Sequence, residues 1–288
     1  MSCRRISGTC LLASFVLCFS IFVAVPHAAC QAAEPPEKPP TAHQHGGHSM
    51  AMDMNLPSGV TDKCEPQFTY SDGPTGPNHW PGVCSTGHMQ SPIDITKADK
   101  VPIPPLAPLQ FNYQPVDLDM VNACNQYVIK VRFPQNRWFK YNRKPYRLSE
   151  ITFHEPSEVA VNGKRSPMSL QLVHLSPEAT ILIIEVPIVV GKENPVIKTL
   201  WEHIPEKGKE IKATGVKINP MDLLPSDHGY YSFRGSLSDP ICNEGVTWFR
   251  MKSPIQMSEE QIAQYRKYYH NTARPLQAVN DRPIVESQ

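Results

Sequence analysis

The sequence carries no excess of charge of either sign. Its 288 residues include 28 Lys and Arg against 27 Asp and Glu, and residues 1–33 hold Arg4 and Arg5 but no acid, which leaves 26 basic against 27 acidic residues beyond them. A near-neutral chain has no general electrostatic attraction to nucleic acid or to an anionic membrane. We therefore predict that neither is a partner.

Glycine is scarce and proline is abundant, with 15 Gly against 30 Pro. Proline averages about 5% of residues in ordinary proteins, and it fixes φ and removes a backbone donor. A long helix is consequently difficult to place before about Ser258. The composition predicts strands and stiff loops.

The N-terminal apolar run, residues 11–25, is shorter than the roughly 20 residues that a membrane-spanning helix needs. Two arginines precede the run and the small residues of 28–33 follow it, which is typical of an export signal. The alternatives are an uncleaved anchor and lipid attachment through Cys30. We predict that residues 1–33 are a signal peptide, that the cleaved protein has no membrane span, and that it is secreted, periplasmic or at the cell surface.

The cysteines show no CxxC pair and no zinc-finger spacing. Four of the eight lie within or next to the predicted signal, and the remaining four are Cys64, Cys84, Cys124 and Cys242. In an oxidising compartment an even number predicts two disulfides, and buried free thiols are the alternative. Four cysteines allow three connectivities, between which spacing alone does not choose.

Residues 34–61 form a polar, low-complexity linker that begins with a proline-rich stretch. Three histidines and three methionines follow within twelve residues, and their imidazoles and thioethers suit copper better than zinc. The equally weighted alternative is a flexible linker in which these residues are enriched by chance. The candidate copper ligands are His43, His45, His48, Met50, Met52 and Met54.

The remainder is rich in strand patterns. Residues 127–133 alternate between apolar and basic side chains, and residues 181–186 form an apolar run typical of a central strand. Ser258 and Gln261 have the spacing of a capping box, which predicts a helix that continues to about Tyr269. We predict a mostly β (α+β) domain with short peripheral helices.

Several separate motifs resemble those of one family. They are Gln-Ser-Pro-Ile-Asp-Ile at 90–95, Gly-Ser-Leu-Ser-Asp-Pro at 235–240 with Asn-Glu-Gly-Val-Thr-Trp at 243–248, Ala-Arg-Pro-Leu-Gln at 273–277, and Asn-Asp-Arg at 280–282. In order and spacing they resemble the α-carbonic anhydrases, over a domain that we place at residues 62–288. The resemblance implies a large, mainly antiparallel, twisted sheet with short helices around it.

The chemistry of that family requires a hydroxide at neutral pH, which a zinc ion held by three neutral histidines supplies by lowering the pKa of bound water to about 7. Two ligands from one strand must stand at i and i+2, because alternate side chains share a face. The resemblance places the three ligands at Thr152, His154 and Gln171, and an orienting carboxylate at Ser169. Only His154 retains a ligand type, so we predict that zinc is lost.

Other positions of the family's site are partly kept. The resemblance places the gatekeeping hydroxyl at Ser238 and the Glu that fixes it at Glu158, and it places the proton-shuttling His at Tyr127. His174 cannot replace a ligand, because it stands three residues from Gln171 and points to the opposite face. Without a metal we predict that Ser238 and Glu158 are idle and serve polar packing.

The resemblance also chooses among the disulfide connectivities. Extracellular members of the family link the segment before Gln-Ser-Pro-Ile to the segment after the gatekeeper loop, which pairs Cys84 with Cys242. Cys64 and Cys124 then remain for the second bridge.

Two classes of function follow. The first is a non-catalytic binding or structural protein that uses the carbonic anhydrase scaffold to recognise a carbohydrate or protein. The second is a carbonic anhydrase, or another metalloenzyme, with a rebuilt metal site that draws on the His/Met tract. The residues at the site favour the first class.

Overall fold

The computed structural model describes residues 64, 66–97, 99–100, 109–134 and 138–287. The predicted signal peptide, linker and copper tract therefore lie outside the described residues. Within the described part of the chain, no helix is both long and apolar enough to cross a membrane.

Strands make up most of the regular structure. They are β1 (Asp94–Ile95), β2 (Asp99–Lys100), β3 (Gln110–Asn112), β4 (Val116–Ala123), β5 (Val128–Arg132), β6 (Trp138–Tyr141), β7 (Lys144–His154), β8 (Ala160–Val161), β9 (Met168–Leu175), β10 (Ile181–Val190), β11 (Glu210–Ile218), β12 (Tyr230–Ser236), β13 (Glu244–Met251), β14 (Ile255–Met257) and β15 (Val285–Glu286). The α-helices are α1 (Val83–Thr86), α2 (Pro195–Trp201) and α3 (Glu259–Arg266), and short 3₁₀ turns cover Pro77–His79, Cys124–Gln126 and Pro220–Leu223.

Thirteen of the described strands form one sheet in the order β11-β4-β5-β7-β9-β10-β13-β12-β15-β2, with β14 beside β10 and β6 between β3 and β7. The β10–β13, β10–β14 and β15–β2 pairs are parallel and the other pairs in this sheet are antiparallel. Strands β1 and β8 form a separate parallel pair. The predicted mostly β class with a mainly antiparallel sheet is confirmed.

The centre of the sheet is covered on both faces. Every residue of β9 is buried, and its side chains alternate between two apolar clusters. Leu170 and Leu172 join a large cluster under α2 and α3, whereas Val173 and Leu175 join a smaller cluster on the opposite face. Because both faces are covered, burial along β9 does not alternate as it would in a surface strand, and its polar residues Ser169 and Gln171 are buried too.

Helix α3 begins as its capping box predicts. The Ser258 hydroxyl accepts from the backbone N–H of Gln261, and the Gln261 side chain accepts from the backbone N–H of Ser258. The helix ends at Arg266, three residues before the predicted end at Tyr269. Tyr269 is nevertheless buried, so its apolar character reflects packing rather than helix.

The two predicted strands are present. Residues 128–132 of the alternating segment 127–133 form β5, and the apolar run 181–186 begins β10, which continues to Val190. The strand passes through Pro187 at the place where its neighbour changes from β13 to β14. A residue without a backbone N–H is tolerated where a ladder is interrupted.

Both predicted disulfides are confirmed. Cys84 is bonded to Cys242 and Cys64 to Cys124, with Cα–Cα distances of 5.0 and 5.6 Å. The first bridge is buried in an aromatic cluster with Phe68, Tyr70 and Trp80, whereas Cys64 is exposed.

Arg274 joins two of the sequence motifs. Its guanidinium is buried and donates to the Gln90 side chain (2.8 Å), to the Ser91 carbonyl (2.9 Å) and to the Cys84 carbonyl (2.7 Å), and it lies over the Trp80 ring. One side chain thus fastens the C-terminal motif to the opening motif and to the buried disulfide.

We predict that removing the buried bridge costs more stability than removing the exposed one. A disulfide typically stabilises by about 2–4 kcal/mol, and more for a longer closed loop. The Cys84–Cys242 separation is 158 residues and the Cys64–Cys124 separation is 60. In denaturant titrations, Cys84→Ala with Cys242→Ala should lower the free energy of unfolding more than Cys64→Ala with Cys124→Ala. The reverse order would contradict this account.

Candidate functional site

Thr152, His154 and Gln171 come together on one face of the sheet. Thr152 pairs with Gln171 across β7 and β9, and His154 pairs with Ser169. Their shared face follows from the two-residue period of both strands. Thr152 and His154 are each 6% exposed and Gln171 is 3% exposed.

His154 has a fixed orientation. Its Nδ1 lies 3.0 Å from the carbonyl oxygen of Thr272, which can only accept, so Nδ1 carries the proton. Its Nε2 lies 3.3 Å from the Thr152 hydroxyl and accepts from it. Thr272 is itself held by hydrogen bonds to the backbone of Glu155. Metal-binding histidines commonly donate their second N–H to a carbonyl in this way, so His154 keeps the orientation of a ligand.

Gln171 has a different role from an imidazole ligand. Its amide nitrogen donates to Oε2 of Glu158 at 2.7 Å, and Glu158 is fully buried. The other oxygen of Glu158 lies 3.8 Å from Nδ1 of His154. The position that would hold a third metal ligand therefore belongs to a buried hydrogen-bond network.

Ser238 lies in the loop that follows β12 and is buried. The loop is closed by backbone hydrogen bonds from Leu237 to Asn243 and from Cys242 to Asp239. Among the described residues, no hydrogen bond joins Ser238 to Glu158, whose Oε2 accepts from Gln171 instead. The predicted gatekeeper pair, Ser238 and Glu158, is therefore not joined by a hydrogen bond.

Apolar side chains lie on the same face of β9 as Gln171 and in the loop that holds Ser238. Val173 belongs to the smaller apolar cluster and Leu237 packs against it. Tyr127, at the proton-shuttle position, instead packs against the larger cluster and the aromatic cluster around the buried disulfide.

A charged group borders Thr152 on its other side. Lys130 of β5 pairs with Thr152 across the strands, and its ammonium lies 3.0 Å from the Glu150 carboxylate. Burial raises the pKa of the nearby Asp239 carboxyl above its ordinary value, and the Lys130 charge opposes that rise.

His174 lies on the opposite face, as its position predicts. Its Nε2 is 2.5 Å from the Tyr113 hydroxyl, and its ring contacts Phe139 within the large apolar cluster. Burial lowers the pKa of His174 to about 3, so it is neutral.

A line of polar side chains crosses the centre of the sheet. Thr152 pairs with Gln171, Gln171 with Glu185, and Glu185 with Arg250 on successive strands. We call these four residues the polar row. Sequence reasoning did not find its second half, although a glutamate within the apolar run 181–186 was the available signal.

The Glu185–Arg250 pair is almost completely buried. Glu185 is 0% and Arg250 is 5% exposed, and Arg250 Nε lies 3.2 Å from Glu185 Oε2. The second carboxylate oxygen accepts from the backbone N–H groups of Glu158 and Val159, and Arg250 donates to the carbonyl of Met251. Burial raises the pKa of Glu185 and lowers that of Arg250, and each charge opposes the shift of the other.

The donor chemistry at the three ligand positions does not fit zinc. Structural and catalytic zinc sites use Cys, His, Asp or Glu, whereas Thr152 and Gln171 offer a hydroxyl and an amide. In the part of the chain that the structure describes, no three side chains of the His, Cys, Asp or Glu type form a group that could hold a metal ion.

Comparisons with known proteins agree with this architecture. The family described as eukaryotic-type carbonic anhydrase matches residues 75–288. A carbonic anhydrase of Nostoc sp. is 32% identical over 224 residues, which cover 75% of this chain and 84% of that protein. Dioscorin DB3S of Dioscorea polystachya is 30% identical over 235 residues, 76% of this chain and 87% of that protein.

Solved structures give the same result. A hyperthermostable carbonic anhydrase from an active hydrothermal vent chimney superimposes with a TM-score of 0.72 at 36% identity, over 77% of this chain and 100% of that one. A dioscorin complexed with ascorbate superimposes with a TM-score of 0.69 at 30% identity, over 77% and 98%. By sequence and fold, the chain belongs to the eukaryotic-type, or α, carbonic anhydrase family.

Proposed function

We propose that this chain is an exported, non-catalytic member of the family that acts as a binding or structural module and does not hydrate CO2. The hydrogen bond from Gln171 to Glu158 carries the proposal. It places an amide donor, directed at a buried carboxylate, where the reaction needs an imidazole lone pair directed at a metal.

The chemistry of hydration supports this conclusion. Attack on CO2 at neutral pH requires a hydroxide, which bulk water does not supply and zinc-bound water does. His154 alone can offer one nitrogen ligand, and its Nε2 already accepts from Thr152. A single imidazole with a hydroxyl and an amide is a weak site for zinc.

The scaffold itself is suited to binding. Fold does not determine function, so a well-packed family domain can serve recognition after its catalytic site is lost. The related dioscorin whose structure contains ascorbate is a family member that binds a small organic molecule. Export is supported by the two disulfides, since such bonds persist mainly in oxidising compartments.

A rebuilt metal site is the second candidate, and the orientation of His154 favours it. Its Nδ1 proton is donated to a carbonyl and its Nε2 faces the former ligand positions, as in a zinc ligand. In this alternative, side chains of the tract formed by residues 43–54 would complete the coordination.

Zinc content and CO2 turnover test the proposed function. The exported chain, purified and dialysed, should contain well below one zinc per molecule and should hydrate CO2 at the background rate, because two of the three ligand positions lack imidazole. Metal analysis by mass spectrometry and stopped-flow hydration assays check both points. One zinc per chain together with measurable hydration would reject the proposed function.

Restoring the ligands should restore the metal. We expect Thr152→His combined with Gln171→His to give one zinc per chain, with an affinity about 10–100-fold below that of a complete site because Ser169 provides no orienting carboxylate. Adding His154→Ala to this double variant is the matched control and should abolish binding. If the double variant binds no zinc, the assignment of the ligand positions is wrong.

The His/Met tract, residues 43–54, is a candidate copper site. We propose that the tract with His43, His45 and His48, together with its three methionines, binds copper independently of the folded domain. Copper titration of the chain should therefore lose its binding when the protein is truncated to begin at Asp62, and should keep it in His154→Ala. Equal uptake by the truncated protein would exclude the tract, and loss in His154→Ala would favour the rebuilt site.

A further inference from the structure

The polar row ends at a cleft that lies away from the ligand positions. Arg250 lines this cleft, which has a volume of about 260 Å³, together with Lys164, Arg165, Lys252 and Ser166. Thr152, His154 and Gln171 do not line it. Four cationic side chains and no carboxylate among the described residues form its wall.

The charge of the cleft is only partly compensated. Arg250 is paired with Glu185, and Lys252 lies 3.0 Å from Glu286. Lys164 and Arg165 form no ion pair with a described carboxylate; Arg165 donates instead to the carbonyl of Arg274 at 2.6 Å. The buried carboxylates of Glu158 and Glu185 also favour the charged form of Arg165, but no described carboxylate lines the cleft. Its surface is therefore cationic, and such a concave surface attracts anions.

Arg250 is held rigidly at the base of this wall. Its Nε pairs with Glu185 and one terminal nitrogen donates to the Met251 carbonyl at 2.7 Å. The other terminal nitrogen has only a long contact, 3.5 Å, to the Ser166 hydroxyl. A buried guanidinium with fixed orientation and donors to spare is preorganised to bind an oxyanion, which arginine binds with a planar fork of N–H groups.

The rest of the wall is apolar and sets the size of the ligand. It consists of Val161, Pro187, Val189, Met251, Pro254 and the ring of Tyr231. Pockets for drug-sized molecules measure about 300–1,000 Å³, so this cleft accepts something smaller.

We propose that this cleft binds a small organic oxyanion, a carboxylate or a phosphate ester carried on a body about the size of one sugar ring. The anionic group contacts Arg250, Arg165, Lys164 and Ser166, and the body packs against the apolar wall. The site is separate from the zinc position of the family, and it does not depend on whether that position holds a metal.

Isothermal titration calorimetry with the exported chain tests the proposal. D-glucuronate and D-glucose 6-phosphate represent the carboxylate and the phosphate ester, inorganic phosphate represents an anion without a body, and D-glucose is the neutral control. We expect at least one of the two sugar anions to bind, more tightly than inorganic phosphate and more weakly as salt is raised, and glucose not to bind. The sugar anions are tested at up to 10 mM, about ten times a Kd of 1 mM. Failure of both to bind at that concentration, or equal binding of glucose, would overturn the proposal.

Substitutions locate the site. Lys164→Gln with Arg165→Gln should weaken anion binding at least tenfold, because two of the four cations that line the cleft are removed. Lys212→Gln is the control, since Lys212 is an exposed lysine on β11, an edge strand that four strands separate from β10. Equal weakening by the control would overturn the assignment.

Two further measurements keep this test separate from that of the proposed function. Circular dichroism should show that each variant is folded. If the double variant is not folded, Lys164→Gln alone, at an exposed position, should still weaken anion binding. The affinity for the sugar anion should be unchanged when a chelator is added, and unchanged in the His154→Ala variant. If either condition abolishes anion binding, the ligand belongs to the His154 site and the cleft is not the binding site.

Discussion

The central strands of this sheet are buried on both faces, and the rest of the structure depends on that constraint. One face of β7, β9, β10 and β13 is filled by apolar side chains under the helices. The opposite face carries Thr152, Gln171, Glu185 and Arg250 side by side. A buried polar group without a partner costs about 1–3 kcal/mol, and an unpaired buried charge costs more. Each member of the polar row therefore needs a partner: Thr152 bonds to His154 and Gln171 to Glu158, whereas Glu185 and Arg250 form an ion pair and bond to backbone groups.

This requirement explains the arrangement around the ligand positions. In a zinc site of the family the metal binds the lone pairs of three imidazoles. Here the one imidazole, His154, accepts from the Thr152 hydroxyl, and the Gln171 amide donates to Glu158. Gln171 donates to Glu158, the backbone of Glu158 donates to Glu185, and Glu185 pairs with Arg250. A change at position 171 consequently affects a connected set of buried groups. Placing an imidazole at position 171 removes the amide that donates to Glu158. The site can therefore hold either a third histidine ligand or the hydrogen bond to Glu158, but not both.

Local patterns and the family resemblance predicted much of this fold. The capping box at Ser258, the strand at 127–133, the disulfide pairs and the position of the three ligand residues follow from spacing or from motifs. The Glu185–Arg250 pair does not, because it joins parallel neighbours that are distant in the sequence and no short-range pattern reports such a pairing. The predicted end of α3, at Tyr269, lies three residues beyond the observed end at Arg266, because Tyr269 is buried by packing outside the helix. The coupling of Glu158 to Gln171 required the geometry as well.

The polar row has two chemically different ends. At the Thr152 end, the His154 imidazole is bounded by the Thr152 hydroxyl, the Glu158 carboxylate and the Lys130–Glu150 ion pair. At the Arg250 end, cations outnumber their carboxylate partners and face a cleft. Glu185 lies between the ends and compensates Arg250 from the interior, which leaves the outer edge of the guanidinium for a ligand. An attraction for anions at this face therefore arises from the packing of the sheet and needs no metal.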